Sequence, residues 1–390
     1  MRLLLSLVLL SSPVVASADS GADADWSVRV TPYDQVFPAL ELSQAHRHTA
    51  ARPPDHVLGE GTGLVAVHLR ADNAGERIQL RVAAAGLATD TEFSATLGEA
   101  GAAYELYPPL DWDVARLLAL KAPSPASLTF TLEREGRQTE TRTAKVSLHP
   151  LEEALYFVRD GGDSVDLSWI FAAYVDENDA VVDRVLAAAL ASGIAPRLDG
   201  YSAADPNAVY AQVWAIWHAL AERGIRYSSA DPAIERGPHI FSQRVRFLAD
   251  TWDDRSANCI DGSVLIASVL GRIGVRNFLV LVPGHAFLGF YADADAQHPA
   301  YLETTLLGAH VPMPTKPPAF AANVEPTPAN RASLASFAAA LAAGRAHYVR
   351  VAAKLDGRHR PDYAVIDIAA ARAFGIKPIE ATTQTKPEAE

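Results

Sequence analysis

The chain of 390 residues has a single cysteine, Cys259, so no disulfide can form within it and the fold must hold by its core alone. It also has no basic cluster. The formal charge is −12, and loss of Arg2 with an N-terminal leader takes −12 to −13, a balance that disfavours nucleic acid as a partner. No segment approaches the roughly 18 unbroken apolar residues that a bilayer span requires. No cysteine stands near position 20, where a lipid-anchored export signal would need one.

What is present starts with MRLLLSLVLLSSPVVASA. One positive residue, an apolar run through Leu10 and small residues at Ala16 and Ala18 read as a cleaved secretory signal over 1–18. The expectation is a periplasmic or secreted protein without a membrane span. Residues 19–60 mix Pro, Asp, His and Ala without periodicity and read as an extended N-terminal segment. His46, His48 and His56 have no acid or cysteine at metal-like spacing beside them, so no metal is expected there.

From 61 to 150 the pattern has period two, in LVAVHLRA, RIQLRVAAAGL, EFSATL, SLTFTLE and TRTAKVSL, separated by turns such as DNAGE and EREGR. Short alternating strands at this spacing predict an antiparallel β-sandwich of about a hundred residues. Past Pro150 the composition turns helical. Apolar residues at three- and four-residue spacing predict a helix over 180–191. Asp205-Pro206 supplies an N-cap and a first-turn proline for another through about Arg223, with Tyr210, Val213, Trp214, Trp217 and Leu220 on one face. IRYSSADPAIERGPHIF reads as an ordered loop leading to a short helix at about 242–250.

The chemistry-bearing stretch runs from Asn258 to Thr305. Asn258 is a good N-cap, Asp261 can answer it three residues on, and Gly274 lies just past the predicted end of a helix over Cys259–Arg272. That helix is apolar on nearly every side and should be buried. Cys259 stands at its first position, where free N–H groups and the helix dipole stabilise a thiolate. An inert core cysteine would more often sit mid-helix. Three apolar runs of strand length follow, NFLVLVP, GHAFLGFY and AYLETT. A hairpin centred on Ala294 puts His285 directly opposite Glu303, where the carboxylate can hold one ring nitrogen and turn the other to the thiol. Alone, His285 reads as a core histidine and Glu303 as an edge charge; their conjunction with Cys259 makes a nucleophile, a base and an orienting acid.

These residues resemble the transglutaminase-like superfamily, whose papain-related core is a cysteine-initiated helix packed on an antiparallel sheet. The matching pieces are Asn258-Cys259 with its small-residue helix ending in Gly274-Val275, Gly284-His285-Ala286-Phe287 for the usual His-Ala-aromatic, and Leu302-Glu303-Thr304-Thr305 for the usual Leu-Asp-x-Thr. The likeness spans about 205–310. It implies Cys259 as nucleophile, His285 as base and Glu303 as orienting acid. Two features depart from the pattern. The acid is Glu where the family mostly has Asp, and Asn258 and Ile260 flank the cysteine where exported calcium-dependent bacterial relatives have acids, so no calcium and no other metal or cofactor is expected. The backbone N–H of Cys259 is one candidate oxyanion donor; Gln243 is a second, set against a plain solvated helix residue.

A Pro-rich strap follows Leu306, then an Ala-rich helix at about 331–343, and YAVIDIAAARAFGIKPI is expected to add a last strand and helix, closing a domain over 151–379. Residues 380–390 read as a disordered tail. The expected fold class is therefore α+β, an N-terminal β-sandwich followed by a transglutaminase-like, papain-like domain. The expected function is an exported thiol hydrolase, a cysteine peptidase or amidase acting on a protein or peptide substrate. The alternatives are a transamidase with the same residues or an inactive binding or scaffold module. A cell-wall endopeptidase of the other papain-like type fits less well, since its histidine is usually followed by a second histidine or a small polar residue. No oligomeric state follows from the sequence.

Overall fold

A computed structural model describes residues 25–43, 55–59, 63–84, 86–160, 163–229, 238–325 and 327–379. The expectations for the signal, for His46 and His48 and for the tail lie outside these residues. The protein is mixed α+β with several antiparallel sheets. It divides into two compact units. One runs through Leu167 and regains a short segment ending at Ser242; the other starts at Ser168 and resumes at Gln243.

The first unit carries the expected alternating strands. Glu76–Ala83, Thr91–Leu97, Ser124–Arg134 and Glu140–Leu148 lie in one five-stranded sheet completed by Gln35–Val36. Alternation explains the buried face: Ile78, Leu80 and Val82 turn inward. Glu76 is buried on the same face because Arg134 grips it with two bonds, Nε to Oε1 at 2.7 Å and Nη2 to Oε2 at 3.0 Å. The second sheet corrects the N-terminal expectation. Trp26–Val30 is a strand paired antiparallel with Val65–Arg70, and Val57–Gly59 runs parallel to Ala103–Tyr107. Residues 26–30 and 57–59 thus belong to the sheet because their backbone groups complete its ladders, though their side chains show no clean period.

The domain boundary also moves. Glu153–Asp160, expected within a helical region, is a strand between Asp163–Asp166 and Ile240–Arg244. Its residues 153–158 are all buried, and a strand covered on both faces shows a continuous apolar run that cannot be told from a helix by period. Glu153 is tolerated there by His149 Nδ1 at 2.9 Å and the Ser242 hydroxyl at 2.6 Å.

In the second unit the predicted helices Ala180–Ala191 and Cys259–Arg272 form with the expected bounds, and Pro206–Glu222 begins at its Asp205 cap. The Ala-rich helix expected at about 331–343 is longer, spanning Pro328–Val351. Trp214 and Trp217 lie buried and donate their indole N–H groups to the Ser333 and Ser336 hydroxyls at 3.0 and 2.9 Å, which fastens Pro206–Glu222 to this helix. The expected short helix at 242–250 is displaced: Ile240–Arg244 is a strand, and a helix follows at Leu248–Asp254. An antiparallel sheet, ordered Pro299–Leu302, His285–Tyr291, Asn277–Val282, Ala364–Asp367, packs against the buried Cys259–Arg272 helix. Among the described residues no helix is long and apolar enough to cross a membrane.

Candidate functional site

The cysteine helix begins where a closed set of backbone and side-chain bonds makes it begin. Asn258 Oδ1 accepts from the N–H groups of Ile260 and Asp261, both at 2.9 Å, and Asp261 Oδ2 accepts from the Asn258 N–H at 3.1 Å, a reciprocal capping box. The cap leaves the Cys259 N–H uncommitted. Asp261 is 1% exposed; burial pushes its carboxyl up, while bonds from Arg246 and Asn258 pull the other way. Arg246 meets it through its backbone N–H at 2.9 Å and Nε at 3.0 Å, and reaches the Ser256 carbonyl at 2.8 Å. The segment entering the helix is thereby tied to the first turn. Cys259 itself is partly exposed.

His285 opens its strand. The two residues Pro283-Gly284 turn the chain between Val282 and His285, which pair directly, and Gly284 takes a φ of 69° there. His285 Nε2 lies 2.7 Å from Glu303 Oε2. The Cys259 side chain lies near enough to favour charge on the imidazole. Burial works against charge on this ring, but the bonds and charges of Cys259 and Glu303 outweigh it and raise His285 from 6.5 to about 9.

The register differs from the expected one by two residues. Leu288 pairs with Leu302 and Phe290 with Ala300, so the hairpin centres on Asp295, not Ala294. The reason lies in the turn: Asp293 accepts from the N–H groups of Gln297 and His298 at 2.9 and 2.7 Å, and Ala296 takes a φ of 56°. Glu303 therefore stands diagonal to His285, just past the Pro299–Leu302 strand, as the N-cap of a short turn over Thr304–Leu306. A diagonal pair is separated by roughly 7–8 Å between backbones, a gap that the longer side chain of glutamate spans.

Glu303 is buried and fully engaged. Oε1 accepts from the Thr305 hydroxyl at 2.7 Å and its N–H at 3.2 Å. Oε2 is bonded to His285 Nε2 and has His347 Nδ1 3.0 Å away. Burial alone would raise this carboxyl, but His285 and Thr305 hold it below the usual carboxylate range. Thr304 and Ser263 direct their hydroxyls to the Cys259 carbonyl at 3.1 and 2.7 Å, which joins the turn of Glu303 to the cysteine helix.

The structure thus brings together Cys259, His285 and Glu303. Gln243 lies on the Ile240–Arg244 strand, not on a helix, and its amide donates to the Arg244 carbonyl at 2.9 Å. Two neighbours escaped the sequence reading. Tyr227, in a region taken for a loop, sits on a two-residue strand paired with Ser256–Ala257; its phenol is pushed up by burial and then by the charges of Cys259 and Glu303. His347 lay beyond the expected end of its helix. Ala340, Gly344 and His347 follow the i, i+4, i+7 spacing of one helix face, a stripe that would have been visible had the helix been read past Gly344.

His285, Glu303 and His347 present ligand-type atoms within 4.8 Å of one another. A carboxylate offers about four acceptor positions; Glu303 fills three with bonds from Thr305 and His285, with His347 Nδ1 3.0 Å from Oε2, and no metal is assigned to this convergence. Comparison with protein-family models and with curated proteins returned no match.

Proposed function

We propose that this chain is an exported, transglutaminase-like thiol hydrolase acting on an amide of a protein or peptide. The observation that carries the reading is one imidazole, His285, that meets a buried carboxylate at 2.7 Å and whose charge is favoured by the neighbouring Cys259. In the proposed reaction His285 Nδ1 takes the Cys259 proton and the thiolate attacks the amide carbonyl carbon. The Cys259 N–H, uncommitted in the helix cap, faces the role of oxyanion donor. The C–N bond breaks as His285 returns the proton to the leaving amine, leaving a thioester. Water, deprotonated by His285, then releases the acid and restores the thiol. Glu303 keeps the ring oriented throughout.

The test uses a glutamine-containing protein with and without a labelled primary amine. Cleavage or deamidation without label transfer supports hydrolysis, whereas label transfer marks a transamidase with the same residues. Cys259→Ala should lower the rate about a thousandfold or more. If Cys259 reacts with iodoacetamide at neutral pH no faster than a free thiol, and no amide is turned over, the chain is a binding module and the reading fails.

A further inference from the structure

Resting on that reading, we infer that His347 is a positioning residue: its Nδ1, 3.0 Å from Glu303 Oε2, fixes the acid in the one rotamer that faces His285. Glutamate has one more rotatable bond than the aspartate usual at this place, and it must reach diagonally across the hairpin. Left with Thr305 alone, which holds Oε1, the carboxylate could still swing Oε2 away from His285. His347 closes that freedom, because it takes a second position on the same oxygen at 3.0 Å and leaves His285 the remaining one at 2.7 Å. The two rings stand edge to face with centroids 5.4 Å apart, so both approach Oε2 without overlapping.

The helix bearing His347 is held to this task by its backbone. The Glu303 N–H donates to the Ala340 carbonyl at 3.0 Å. One turn on, Gly344 lies so close to the strand that an added Cβ would stand 2.6 Å from the Tyr301 carbonyl. His347 is the next residue of that stripe. The groups facing it are Glu303, His285 and Arg350. Burial holds His347 below its ordinary range, with the charges of Arg350 and His285 adding to this against the pull of Glu303, so at neutral pH the ring beside Glu303 is uncharged.

The experiment follows the His285 ring by NMR pH titration in selectively labelled full-length protein, beside steady-state amide hydrolysis. Removing an uncharged donor from a carboxylate that stays in place would leave the His285 midpoint unchanged or raise it. Losing the carboxylate's position lowers it. His347→Ala is therefore expected to bring the midpoint down from about 9 by about one pH unit, and to reduce kcat about 10- to 100-fold with KM little changed. His347→Asn, whose amide N–H falls where Nδ1 stood, should restore both. His347→Gln, whose N–H falls where Nε2 stood, should not; if the alanine variant does not fold, the Asn and Gln pair carries the comparison. A His285 midpoint that stays or rises in the Ala and Gln variants overturns the inference. A midpoint that falls and is restored by Asn upholds it even where the parent turns over no amide, in which case it is the hydrolase reading that has failed.

Discussion

His285 has its imidazole between a thiol and a carboxylate, and this arrangement links the site to stability. Its folded value is raised from 6.5 to about 9, so the stabilisation is fully present below about pH 6.5 and is lost as pH rises through about 9. The shift corresponds to at most about 3 kcal/mol, and solvent screens part of it because the side chain is 23% exposed. Urea unfolding at about pH 6 and about pH 10 should therefore show the parent losing on the order of 1–3 kcal/mol more than His285→Asn over the same interval. Equal losses in the two proteins would mean that the ring is not held charged in the folded state.

The elements show which parts of the site can be read from sequence. The Cys259 helix was legible to the residue because its boundaries are local: Asn258 and Asp261 close a box within four residues and Gly274 ends the last turn. His285 and Glu303 were legible as partners from the face they share, but their register was not. The repeat ADADA gives no marker of where the chain reverses, and Asp293 settles it only by capping two specific N–H groups. The strand Ile240–Arg244 was hidden since its partner, Glu153–Asp160, lies some 80 residues away, and the helix after it has Phe247 as its N-cap, which provides no side-chain bond. The helix expected at about 331–343 runs on through Gly344. A glycine at a helix end is a stop signal, yet this one is there for close approach to Tyr301 and Leu302. Gly344→Ala tests the point. Alanine should favour an isolated helix by roughly 0.5–1 kcal/mol, but its Cβ meets backbone atoms at 2.6–2.7 Å that cannot turn aside. The expected result is a net loss of about 1–3 kcal/mol in denaturant unfolding, together with a lowered His285 midpoint. A stabilised protein would show that the helix does not press on the strand as described.

On the scale of the whole molecule, the chain does not divide into consecutive pieces. A sequence boundary at 150 follows the change in composition, but the first unit extends through Leu167 and takes back a strand that follows residue 237. That strand is not incidental to it. Phe241 packs edge-on against Tyr156 and Phe157 with ring centroids 6.5 and 5.7 Å apart, and Arg159 lies 5.2 Å over the Phe241 ring. The Ser242 hydroxyl meets the buried Glu153 carboxylate, and the Arg159 N–H donates to the His239 carbonyl at 2.8 Å. A fragment of residues 25–167 would expose this edge of Glu153–Asp160 and leave one partner of Glu153 missing, a loss of roughly 1–3 kcal/mol for the buried acid alone. Such a fragment should therefore unfold at lower urea than the same fragment joined to residues 236–246. The free peptide 236–246 should raise its midpoint in a concentration-dependent way, as ligand linkage requires. A peptide with Phe241→Ala and Ser242→Ala should not. If the fragment is equally stable with and without the strand, then the return of the chain contributes nothing to the first unit, and the break in composition at 150 is the better guide to its limit.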